Sequence, residues 1–116
     1  MPTLMTKYKF NGKDYLVYTQ NILAKDFSNM DWSKISDYRL GVGADFVIVC
    51  TGSDVSYFNA YGQKIEANSD LNVVKAYHEH NEVPAGVQIE RNIEVRLTDS
   101  FVNSLKSNKA KKVFIA

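Results

Sequence analysis

The residues best placed to do chemistry are Asn68-Ser69-Asp70 and Asn59. Asn68-Ser69-Asp70 opens an amphipathic stretch that continues to about residue 80. An amide or hydroxyl at such a position caps a helix by accepting a backbone N–H. The remaining free N–H groups of a first helical turn also bind carboxylates, so a small acid has a natural docking point there. Asp70 opposes that use, because it brings its own negative charge to the same turn. Asn59 lies three residues before Gly62, and Lys13 sits in the turn Asn11-Gly12-Lys13-Asp14. Asn59 and residues 68–70 are the candidate ligand contacts that the residues themselves suggest. Each also has a purely structural reading: helix capping for residues 68–70 and turn chemistry for Asn59.

Other clusters point away from catalysis. His78-Glu79-His80 places two imidazoles at i, i+2, which face apart on a helix, whereas helical metal sites use i, i+4. No metal site is expected. The single cysteine, Cys50, lies in an apolar run, where burial raises a thiol pKa and leaves it inert. Gly41-x-Gly43 lacks the third glycine and the following helix of a dinucleotide fingerprint, so it reads as a tight entry to a strand. No cofactor is implied. Lys106, Lys109, Lys111 and Lys112 read as a solvated loop. The net charge of +1 provides no field for nucleic acid or an anionic membrane. No apolar stretch reaches the roughly 18 residues of a membrane span. The first residues lack a signal-peptide core, and one cysteine excludes an internal disulfide framework. A cytoplasmic location is the expectation.

The elements that must position these groups read as α+β. The 116 residues, 45% hydrophobic and 23% charged, suit one domain over 1–116 with a modest core. Residues 8–10 and 15–18 form a hairpin about the Asn-Gly turn. Asp31 caps a short helix over about 31–39, with Trp32, Ile35 and Tyr38 or Arg39 on one face. The continuous apolar run at 45–50 predicts a strand covered on both faces. Residues 55–60 predict the next strand and 64–66 a short one. Leu71, Val74 and His78, flanked by Val73, Ala76, Tyr77 and His80, give a central helix over about 70–80. Residues 87–90 and 93–97 predict two antiparallel strands about an Arg91-Asn92 turn, the second alternating strictly. Asp99 or Ser100 caps a short helix through Leu105, and 113–115 predicts a last strand. The sum is a mostly antiparallel sheet curled around a central helix.

Four stretches resemble the amino-terminal half of the diaminopimelate epimerase family, in matching order and spacing. Tyr8-Lys9-Phe10-Asn11-Gly12-Lys13-Asp14-Tyr15-Leu16-Val17 resembles the opening strand, its glycine-containing Asn-Asp turn and the second strand. Tyr38-Arg39-Leu40-Gly41-Val42-Gly43-Ala44-Asp45 resembles the arginine and Gly-x-Gly-x-Asp segment. Phe58-Asn59-Ala60-Tyr61-Gly62 resembles the Phe-Asn-Ala-Asp-Gly turn, and residues 66–80 fall on the active-site loop and central helix. The resemblance implies one half of a two-domain fold with its active site in the cleft between halves. It also implies cofactor-independent inversion at an α-carbon by two cysteines, one removing and one returning the proton, within lysine and peptidoglycan-precursor synthesis.

At the working positions the match breaks. The first cysteine falls on Asn68, whose amide is neither acid nor base, and the following Gly-Asn falls on Ser69-Asp70. The substrate-contacting Asn of the opening turn falls on Lys13, which the resemblance thus makes a fifth candidate ligand contact, and the acidic residue of the later turn falls on Tyr61. Asn59 alone is retained. The second cysteine belongs to a half this chain does not contain. The first expectation is therefore a domain with no catalytic residue of its own, acting through binding of a small amino acid or through a two-fold homodimer. The alternative is one half of a split epimerase or isomerase, working with a complementary second half-domain, with Lys13 or Asp70 as acid or base. The apolar ending at 113–116 also fits a piece of a larger protein.

Overall fold

The structure, a computed structural model, describes residues 3–20, 30–51 and 54–105. The lysine loop and the strand expected at 113–115 lie outside the described residues. Strands β1 (Thr3–Phe10) and β2 (Lys13–Gln20) form a hairpin longer than the sequence pattern implied. Asn11 and Gly12 make its turn with φ of 52° and 76°. This double left-handed geometry matches the twist of paired strands. Helix α1 (Trp32–Ser36) is capped by Asp31, whose side chain accepts from the Lys34 N–H. It ends earlier than expected: Trp32 and Ile35 are buried, but Tyr38 and Arg39 are exposed and outside the helix.

Strands β3 (Phe46–Thr51), β4 (Asp54–Asn59) and β5 (Lys64–Ile65) follow, then helix α2 (Ser69–His80) and strand β6 (Arg91–Leu97). Residues 99–105 form a third helical segment, α3. Its cap is Thr98 rather than Asp99 or Ser100: Thr98 Oγ1 accepts from the Phe101 N–H at 3.2 Å. The fold is α+β. The six strands form one mixed sheet in the order β5-β4-β3-β2-β1-β6. Four strand pairs are antiparallel, and β2–β3 is parallel.

One pairing departs from the sequence reading. Residues 87–90 are not a strand, and Arg91-Asn92 is not a turn. Both residues begin β6, with Arg91 opposite Lys9 and Asn92 opposite Tyr8. Both favoured two-residue hairpin turns require positive φ at the first central position, which arginine disfavours. The long edge of β1 instead offers β6 a partner at every residue.

The core lies on both faces of the sheet. Along β2 and β3 consecutive residues go to opposite sides: Leu16, Val47 and Val49 to one cluster, Val17, Ile48 and Cys50 to the other. This two-sided burial explains the unbroken apolar run of β3. Trp32 and Ile35 of α1 and Val102 and Leu105 of α3 cover the first face; Leu71 and Val74 of α2 cover the second. The expected central helix is α2, but it covers one face only, and Asn72, Glu79 and His80 stay exposed. Among the described residues no helix is long and apolar enough to cross a membrane.

Candidate functional site

The candidate ligand contacts gather at one end of the sheet. Asn68, extended at φ −118°, is the N-cap of α2. Its Oδ1 accepts from the Leu71 N–H at 2.8 Å, and its carbonyl accepts from the Asn72 N–H. Ser69 is the first helical residue and is exposed. Half-buried Asp70 faces the β1–β2 turn, where Asn11 Nδ2 donates to its carboxylate at 3.4 Å. The sequence presents Asn11 only as a turn former. The contact spans 59 residues, and no local spacing announces it.

Lys13, exposed at the start of β2, places its ammonium 5.6 Å from the Phe46 ring centroid. Phe46 stacks on Tyr15 with centroids 5.3 Å apart. Asn59 is the register partner of Phe46 on β4. Lys13 and Asn59 therefore lie at the same end of the sheet as the Tyr15–Phe46 pair, and Asp70 acts on the Tyr15 phenol from the start of α2. Burial first, then the charges of Asp70 and Asp45, push the Tyr15 phenol up to about 12. It stays protonated at neutral pH and cannot serve as a base.

Much of this set already has internal partners. Asn59 Oδ1 accepts from the Tyr61 and Gln63 N–H groups, each at 3.0 Å, and its Nδ2 donates to Gln63 Oε1. The turn takes up its amide oxygen and one of its two amide hydrogens. Asn68 performs capping, which leaves Lys13 and Ser69 as the more available polar groups. No thiol stands at this helix end. Cys50 is buried in β3, and the charges that act on it are Glu79 and Lys75, in the carboxyl-terminal half of α2. Burial raises its pKa, as the sequence pattern implied. Among the described residues no group of three or more His, Cys, Asp and Glu could hold a metal ion.

A second polar cluster was not legible in the sequence. His78 Nδ1 pairs with Tyr8 Oη at 2.7 Å, and its Nε2 with Thr19 Oγ1 at 3.1 Å. Both ring nitrogens are thus engaged by hydroxyls, while His80 is exposed. Burial lowers the His78 pKa below the ordinary 6.5, and Glu79 opposes that shift only in part. The unfolded chain therefore binds a proton at His78 more readily than the folded one. This contribution to stability is complete above about pH 6.5 and is lost as pH falls through the depressed folded value. In thermal melts between neutral and mildly acidic pH, His78→Gln is expected to flatten the fall in Tm relative to the parent chain. Parallel curves would show that His78 titrates alike in both states.

No protein-family model matches this chain, and no curated protein matches it.

Proposed function

We propose that this chain is a divergent relative of one diaminopimelate epimerase half-domain that has lost proton-transfer chemistry and acts by binding or by homodimeric assembly. One observation carries this reading. Where the resemblance calls for a thiol, Asn68 holds the Leu71 N–H as a cap, and the one cysteine lies against the far end of the same helix. An amide cannot shuttle a proton at neutral pH, whereas a cysteine at a helix N-terminus can. The convergence of Lys13, Asn59 and residues 68–70 on one sheet end supports a retained ligand-contacting surface. The assembly arm rests on the resemblance: a lone half-domain leaves uncovered the surface its partner half would cover, and a second copy of a similar half can cover it.

The split-enzyme reading has one observation in its favour: Asp70 is an acid in the first turn of α2, held by Asn11. A solvent-deuterium exchange assay separates the two readings. The purified chain, given diaminopimelate and a panel of amino acids, is expected to incorporate no α-deuterium above the buffer control. It is expected to have twice the chain mass by light scattering. Exchange by the chain, or on adding a complementary half-domain, would overturn the loss of chemistry. A monomeric mass at high concentration would remove the assembly arm.

A further inference from the structure

A cleft of about 800 Å³ opens on the α1 side of the sheet, lined by Ser36, Asp37, Tyr38, Leu40, Asp45 and Tyr61 among others. That volume lies within the roughly 300–1,000 Å³ typical of small-molecule sites. Three observations bear on what would occupy it. Ser36 lines the cleft at 2% exposure, and its Oγ has no hydrogen-bond partner among the described residues. Its carbonyl, by contrast, accepts from the Ala44 N–H. A buried hydroxyl left unpaired is unfavourable, and a ligand polar atom would relieve it.

The charges of the lining are asymmetric. Asp31, Asp37 and Asp45 stand against Lys34 and Arg39. Lys34 Nζ donates to Ser104 Oγ on α3, so this ammonium is already committed outside the acidic wall. The carboxylates are fixed by backbone donors. Asp37 Oδ1 accepts from the Arg39 and Leu40 N–H groups at 2.7 and 3.0 Å, and those bonds hold its pKa below the usual carboxylate range. Asp45 Oδ2 accepts from the Asp14 N–H at 2.9 Å. Asp31 accepts from the Lys34 N–H. Carboxylates held in place need little reordering to meet a cation. Finally, Leu40 and Tyr61 are 68% and 81% exposed beside these acids, an apolar and an aromatic surface that a ligand body could cover.

We propose that this cleft binds a small organic cation, an amine carrying an apolar or aromatic body. The ammonium sits on the carboxylate wall, with Asp45 its main partner. The body lies against Tyr61 and Leu40, and the Ser36 hydroxyl takes up a polar atom of the ligand. Tyr61 adds the attraction of its ring face for a cation. The cleft opens on the face covered by α1, whereas α2 covers the other face. It therefore stands or falls apart from the function proposed above.

The test is an amide-resolved NMR titration of the full chain at neutral pH. The probes are phenethylamine, phenethyl alcohol and phenylacetate, which share one aromatic body and differ in charge. Phenethylamine is expected to shift the amides of residues 36–45 and 60–62 and to bind at least roughly tenfold more tightly than phenylacetate. Asp45→Asn keeps an acceptor for the Asp14 N–H and is expected to weaken phenethylamine roughly tenfold, with the other amides in place. Ser36→Ala, with the fold confirmed by the same spectra, is expected to weaken it severalfold. The proposal is overturned if phenylacetate binds as well as the amine, if the shifts fall elsewhere, if millimolar amine shifts nothing, or if Asp45→Asn leaves the affinity unchanged.

Discussion

Gly41→Ala is expected to destabilise the protein by about 3 kcal/mol or more, among the largest losses available from adding one methyl group. Residues 41–44 fold back over the end of α1. The Val42 and Gly43 N–H groups donate to the Ile35 carbonyl, and the Ala44 N–H to that of Ser36. These bonds satisfy the last carbonyls of a helix only one and a half turns long. They also bring Gly41 against backbone: a Cβ there would lie 2.3 Å from the Lys34 carbonyl oxygen and 2.7 Å from Ile35 Cα. A flexible side chain could yield; backbone cannot without pulling α1 away from the sheet. Gly12→Ala is the control. Gly12 has φ +76° and nothing within 4 Å of an added Cβ, so only the left-handed backbone resists, at about 1–2 kcal/mol. Urea unfolding of both variants checks the difference. Equal losses would mean that close approach is not what the glycine at 41 provides.

The glycine pair at 41 and 43 shows how far local reading reaches. Sequence identified a helix stop and a tight strand entry there, but not that the chain folds back against the end of α1, because that contact is made by tertiary packing. Elements whose signal is local were legible: the Asn11-Gly12 turn, the caps Asp31 and Asn68, and the two-sided run of β3. The 87–97 region was misread because two polar residues resemble a turn, while the pairing that decides the matter is with β1, more than eighty residues earlier. Lys13, Asn59 and residues 68–70 entered as candidates without any local signal that the β1–β2 turn, the end of β4 and the start of α2 lie at one end of the sheet. The Tyr8–His78–Thr19 cluster and the Ser36 cleft left no sequence signal. Hydroxyls and imidazoles at large separations carry no periodicity, and an unpaired buried serine looks like any other serine.

Leu71→Ala is expected to cost about 2–5 kcal/mol, and to act chiefly through α2. Leu71 and Val74 are the two α2 residues with no exposure. Leu71 also supplies the N–H that Asn68 caps, so it joins the helix start to the core. A helix of 12 residues is marginal in isolation, and α2 depends on docking to stay folded. Removing the Leu71 side chain leaves a cavity beneath the first turn, beside the Asn11–Asp70 contact. Hydrogen exchange should accelerate across residues 69–80 before the amides of β2 and β3 respond. Asn72→Ala, one residue on and exposed, should stay within about 0.5 kcal/mol of the parent. The distinction bears on function, because any ligand surface at this sheet end needs Asp70 and Ser69 held in place. If α2 keeps its protection in the Leu71→Ala variant, the helix is anchored by something other than this contact. The proposed ligand surface would then owe its geometry to the Asn11 turn alone.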